Sequence, residues 1–89
     1  MADEFPTHTF FSFVKDGTYL GSCLVDEGDP VLAVSITFAT KCNPGGEVFY
    51  TSFTMTDDMD MKNAPINTLL SREDLMRLGI SWRKNDQES

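Results

Sequence analysis

Residues 7–25 read Thr7-His8-Thr9-Phe10-Phe11-Ser12-Phe13-Val14-Lys15-Asp16-Gly17-Thr18-Tyr19-Leu20-Gly21-Ser22-Cys23-Leu24-Val25, and this stretch decides the fold class. Aromatic and β-branched side chains crowd residues 7–15 and suit the pleated, half-buried backbone of a strand. Asp16-Gly17 accepts positive φ at both central positions of a tight turn, and residues 18–25 resume an extended pattern. The reading is a two-residue β-hairpin. Lys15 then faces Thr18, and the register places Phe11 and Phe13 on one face with Leu20 and Leu24.

Beyond the hairpin, Asp26-Glu27-Gly28-Asp29-Pro30 reads as a second turn, because Gly and Pro punctuate it and nothing there suits burial. Residues 31–41, Val-Leu-Ala-Val-Ser-Ile-Thr-Phe-Ala-Thr-Lys, form the longest strand candidate. Asn43-Pro44-Gly45-Gly46 breaks it, and residues 47–55 read as a fourth strand. Carrying the register through these turns adds Leu32, Val34, Ile36, Phe38, Val48 and Tyr50 to the face of Phe11 and Phe13. The other face receives His8, Phe10, Tyr19, Cys23, Ala33, Phe49, Phe53 and Met55, and is unusually apolar for a sheet surface meant for water. Such a face implies association with a partner, cover by the link 57–70, or a slipped register that has mixed the two faces.

The tail changes character. Ser71 suits a helix N-cap, with Asp74 at the capping-box position and Leu70 placed to staple onto Leu75. Gly79 fits the left-handed position after a helix, and Ile80 can pack back on Leu75 as in a Schellman motif. A helix of two turns over 72–78 follows. Its apolar side chains, with Leu69, Leu70, Met76, Leu78 and Ile80, are placed to cover the face of Phe11 and Phe13. Residues 81–89 are polar and expected to fray.

The chain has 89 residues, 14 acids, 7 bases and a formal charge of -7; 40% is hydrophobic, with seven Phe, two Tyr and one Trp. That length allows one core and excludes a multidomain enzyme. No run approaches the roughly 18 to 20 apolar residues of a membrane span. Met1-Ala2-Asp3-Glu4 is acidic where a secretory signal would be basic and then apolar, which predicts a cytoplasmic protein that uses no membrane. Residues 1–60 hold ten acids and two bases; residues 61–89 hold four acids and five bases, including every Arg. The first two-thirds has the wrong sign for a phosphate backbone, so direct nucleic-acid binding is not expected.

Candidate chemistry is sparse. In a meander Cys42 lies on the order of 30 Å from the strand position beside Cys23, so two free thiols are expected. His8 falls diagonal to Cys23 in that register, but at roughly 7 to 8 Å and without an orienting carboxylate the pair is a poor nucleophile and base. The clusters Asp26-Glu27-Gly28-Asp29 and Asp57-Asp58-Met59-Asp60-Met61 lack the ligand order of a calcium loop and the burial that separates catalytic pKa values. Gly45-Gly46 precedes a strand and lacks the Lys and helix of a phosphate loop. Arg72, Arg77, Arg83 and Lys84 form a small basic patch, and Trp82 beside it reads as a core or lid residue.

The fold class read from the sequence is therefore α+β: one acidic domain over 1–89, a four-stranded antiparallel β-meander within 7–55, an acidic link over 56–70 and a short C-terminal helix packed on one face. No enzyme activity, cofactor or metal is expected. In size and charge the chain resembles the small acidic accessory proteins that phages and other mobile elements use against host machinery, anti-CRISPR proteins and DNA mimics among them. That resemblance implies a protein-binding inhibitor of a basic, nucleic-acid-handling host protein. The residues expected to bind it are Asp26, Glu27, Asp29, Asp57, Asp58 and Asp60, with Phe10, Tyr19, Phe49 and Phe53 from the apolar face. The alternative is a structural or assembly protein that forms a homodimer through the second sheet face. A third reading, a small enzyme or metal binder, would use His8, Cys23 or the acid clusters.

Overall fold

Asp16 and Gly17 both take positive φ, 53° and 79°, and turn β1 (His8–Lys15) back into β2 (Thr18–Val25) as the hairpin reading requires. This computed structural model describes residues 5–80. Lys15 faces Thr18 and Val14 faces Tyr19, but a β-bulge then shifts the register, so that Phe13 faces Gly21, Phe11 faces Cys23 and Phe10 faces Leu24. A shift of one residue exchanges the faces of everything beyond it. Cys23 and Val25 therefore join Phe11 and Phe13, and Leu24 joins Phe10, which corrects the faces expected for β2.

Glycine makes the bulge possible. Gly21 has φ 143°, and a Cβ there would lie 2.9 Å from the Leu70 carbonyl oxygen. That close approach lets Leu70 pair with the outer edge of β2: Ser22 N–H donates to Leu70 O at 2.9 Å and Leu70 N–H returns a bond to Ser22 O at 2.7 Å. Asn67 N–H donates to Leu24 O at 2.8 Å further along the same edge.

Residues 31–41 are not a strand. Helix α1 spans Pro30–Ala39, with Asp29 as N-cap and Pro30 at the first helical position. Val31, Val34, Ile36 and Thr37 are β-branched and favour a strand by propensity, yet the cap, the pre-set proline φ and burial of Ala33 and Thr37 outweigh that preference. After the helix the chain enters β3 (Glu47–Phe53). The sheet has three strands in the order β2-β1-β3, with both outer strands antiparallel to β1. β2 and β3 thus run parallel to one another, and α1 is the crossover that such a pair needs. The four-stranded meander is replaced by a split β-α-β arrangement.

A core forms on each sheet face. On one side Phe11, Phe13, Cys23, Val25, Ala33 and Cys42 are buried together, with Leu20, Val34 and Ile36 packed against them. On the other, Phe10 and Leu24 are buried with Ala64, Leu70, Leu75 and Ile80, supported by Tyr19, Phe53, Met55, Met61, Ile66 and Leu78. The second face is therefore covered by the link and tail. Its cover includes a short 3-10 turn at Asp60–Asn63 and helix α2 (Arg72–Leu78).

Helix α2 lies where its caps predict. Ser71 and Asp74 form a reciprocal capping box. Gly79 has φ 76°, Ile80 N–H donates to Leu75 O at 2.9 Å and Gly79 N–H donates to Met76 O at 3.1 Å, the two bonds of a Schellman motif. The helix covers the face of Phe10 rather than that of Phe11 and Phe13, because the bulge has moved Leu24 there. Leu69 and Met76, expected in the cover, are exposed. The expected fraying of 81–89, the role of Trp82 and the Arg83-Lys84 part of the basic patch lie outside the described residues.

Candidate partner-binding surface

Because β2 and β3 run the same way past β1, both leave the sheet at the end where β1 begins. Thr9 faces Val25 on one side and Ser52 on the other. The turn 26–29 follows β2 there, and the link carrying Asp57, Asp58 and Asp60 follows β3 there. Asp26, Asp29, Asp57, Asp58 and Asp60 are exposed and Glu27 is half-buried. The two acidic segments, well separated in sequence, leave one end of the sheet.

The chain leading into β1 stitches them together. Thr9 Oγ1 donates to the Glu27 carbonyl at 2.7 Å and lies 3.0 Å from Ser52 Oγ. Thr7 N–H donates to Phe53 O at 2.9 Å, and Thr7 Oγ1 accepts from Met55 N–H at 2.9 Å. Gly28 lies so close to Pro6 that a Cβ would meet the Pro6 carbonyl oxygen at 1.8 Å. Residues 6–9 therefore hold the Glu27 turn on one flank and the Met55 exit on the other. Pro6, Thr7, Thr9 and Gly28 position the acidic end, and nothing in their sequence pattern marks them for that task.

Each acidic turn is also shaped from within. Glu27 Oε2 accepts from Asp29 N–H at 3.0 Å, and Asp29 Oδ1 accepts from Val31 N–H at 2.9 Å. Thr56 Oγ1 donates to Asp58 Oδ1, and this bond is the main reason the Asp58 carboxyl is held below the usual carboxylate range. Its own backbone amide and the nearby Lys62 charge act in the same direction. The Asp58 carboxylate thus stays ionised into mild acid.

Basic side chains are found away from these two turns. Lys15 closes β1, Lys41 follows α1 with φ 64°, and the Arg72 guanidinium lies 5.3 Å from the centre of the Tyr19 ring. Of the apolar residues expected to bind a partner, Phe10 is 4% exposed and belongs to the core. Tyr19 is half-buried beneath Arg72. Phe53 is half-buried with its ring stacked on His8 at 5.9 Å. Phe49 is exposed on β3.

The nucleophile pair does not form. The bulge puts Cys23 on the face of Phe11, while His8 lies on the face of Phe10 and Phe53, with Nδ1 2.7 Å from Thr7 Oγ1. Cys23 and Cys42 are both free thiols, as expected, but they are not far apart: the helical crossover returns Cys42 to the cluster that holds Cys23. Burial first, then the neighbouring Cys42 charge and a hydrogen bond to its side chain, push the Cys23 thiol up to about 12. Burial in the core favours its protonated form. Among the described residues no group of three or more His, Cys, Asp or Glu is placed to hold a metal ion, and no helix is long and apolar enough to cross a membrane.

Compared with protein families, with curated proteins and with solved structures, the chain finds no match.

Proposed function

We propose that this chain is a non-enzymatic binding module whose acidic end engages a basic, nucleic-acid-handling host protein and blocks its nucleic-acid site, in the manner of an anti-CRISPR protein or DNA mimic. The observation that carries this reading is the convergence of Asp26, Glu27, Asp29, Asp57, Asp58 and Asp60 at one end of the sheet, fastened to the same β1 lead-in. Concentrated negative charge accelerates encounter with a positive groove and selects against acidic partners. Phe53 and the exposed Phe49, on the strand that delivers Asp57, Asp58 and Asp60, would supply apolar contact. A homodimer through the second sheet face is not proposed, because residues of the link and tail cover that face.

The test is binding measured against salt and charge. Immobilised wild type and the Asp57→Asn, Asp58→Asn, Asp60→Asn triple variant are challenged with the heparin-binding protein fraction of a bacterial host. The expected result is a basic partner that competes with duplex DNA for the wild type, dissociates as salt rises and binds the triple variant at least tenfold more weakly. Equal retention by both forms, or capture that is indifferent to salt and DNA, would overturn the reading.

A further inference from the structure

The two edges of the sheet are treated differently. The outer edge of β2 is closed by Leu70 and Asn67 through the hydrogen bonds to Ser22 and Leu24. The outer edge of β3 meets no strand among the described residues. An open edge presents a row of unpaired backbone donors and acceptors, and proteins commonly guard it with Lys, Pro, a bulge or a covering segment. β3, with sequence Glu-Val-Phe-Tyr-Thr-Ser-Phe, has no Lys or Pro, and its pairing with β1 runs without a register shift. Its first five residues are exposed, Phe49 and Tyr50 at 56% each.

We propose that this edge pairs antiparallel with β3 of a second copy of the chain about a two-fold axis at Tyr50, joining two sheets into one. Charge argues for a second copy over a basic partner at this edge. Glu47 is the only charged residue of β3, so a cationic strand would find little to neutralise. In the antiparallel pair the two Glu47 carboxylates stand at opposite ends, about 20 Å apart at the strand rise, beyond the Debye length at ordinary ionic strength. Side chains agree with the same register: Phe49 faces Thr51 of the partner subunit, an aromatic and β-branched pair of the kind that stabilises sheets, and Tyr50 faces its own copy. Aromatic side chains of roughly 200 Å² exposed at 56% give about 220 Å² per copy from Phe49 and Tyr50, against about 800 Å² per partner in a standard interface. One paired strand with two rings therefore makes a weak, reversible dimer. The acidic carboxylates lie outside this edge, and although Phe49 is shared with the proposed partner contact, the opposite salt dependence of the two associations lets each be tested without the other.

Sedimentation velocity on the wild-type chain from about 10 µM to 1 mM tests it. The expected result is a monomer to dimer shift that strengthens severalfold as salt rises, since two copies of charge -7 repel. Binding of the acidic end to a basic partner has the opposite salt dependence. Tyr50→Lys places two ammonium groups face to face and Thr51→Lys places charge one residue away at an exposed position; each is expected to weaken self-association at least tenfold with an unchanged far-UV spectrum. A wild type that stays monomeric to 1 mM overturns the proposal, as does a dimer that persists in both folded variants.

Discussion

Asp29 Oδ1 accepts a hydrogen bond from the Val31 amide at 2.9 Å, and this cap supports the helical state of residues 30–39. The segment is rich in β-branched residues, so its helical state depends on the cap, on Pro30 and on burial of Ala33 and Thr37 against the sheet. Asp29→Ala removes the acceptor and leaves an orphan amide at the first turn. The expected loss is about 1 kcal/mol, with a range of about 0.5 to 2, read as a lower urea midpoint at unchanged slope. Asp29→Ser, which restores an acceptor, is expected to recover most of it.

That contact also explains what the sequence could and could not disclose. Helix α2 was legible because each of its signals is local: Ser71, Asp74 and Gly79 act within a few residues of themselves. The hairpin turn was legible for the same reason, whereas the common end from which both acidic segments leave the sheet follows from the observed strand order. The helical state of 30–39 was not legible, since Asp-Pro begins a turn and caps a helix with equal ease, and only packing of Ala33 beneath the helix separates the two. The bulge was hidden as well. Gly21 marks it, but whether a strand glycine signals a bulge depends on what approaches it, and the approaching group is Leu70, distant in sequence. Misplacing that one residue exchanged the faces of Cys23, Leu24 and Val25 and hid the proximity of the two cysteines.

Gly28 sets how closely the first acidic turn packs on the β1 lead-in. A Cβ there would fall 1.8 Å from the Pro6 carbonyl oxygen, a backbone atom that cannot rotate away. Gly28→Ala must push the turn off residues 6–9, and is expected to cost about 2 to 3 kcal/mol, lowering Tm by roughly 10 °C or more. Gly45→Ala is the control: nothing lies within 4 Å of its Cβ position, so only the strain of φ 93° remains, about 1 kcal/mol. Thermal unfolding followed by circular dichroism separates the two. Equal losses would place the Gly28 cost elsewhere than in the Pro6 contact.

The Cys23 thiol makes stability depend on alkaline pH. Its value is raised from 9.0 to about 12 by burial above all, so the folded state retains a proton that the unfolded chain releases above pH 9. Stability from this group is fully present below pH 9 and declines as pH rises toward 12, with a limiting slope of about 1.4 kcal/mol per pH unit for one proton. Urea titrations of wild type and Cys23→Ala between pH 8 and 11 are expected to differ in slope, the variant falling less steeply. Parallel curves would show that Cys23 ionises as readily folded as unfolded. A thiol reagent at pH 8 is expected to label Cys23 only on unfolding.

Asp74 gives the opposite dependence at low pH. Its carboxylate accepts from the Ser71 backbone amide at 2.9 Å, and this bond, followed by the Ser71 hydroxyl and then Arg77, holds it below its ordinary value of 3.8. The folded state therefore prefers the ionised form, so the contribution is present above about pH 4 and is lost as pH falls through the depressed value. Asp74→Asn keeps the size of the side chain and removes the titration. Wild type is expected to exceed the variant in stability at pH 6 and to lose that margin as pH falls below 4, measured by urea unfolding at constant ionic strength. The Arg77 ion pair is solvent-exposed, so Arg77→Ala is expected to leave most of this pH dependence in place. A wild type that keeps its full advantage over Asp74→Asn at pH 2 would show that the capping box acts through packing rather than through the charge of Asp74.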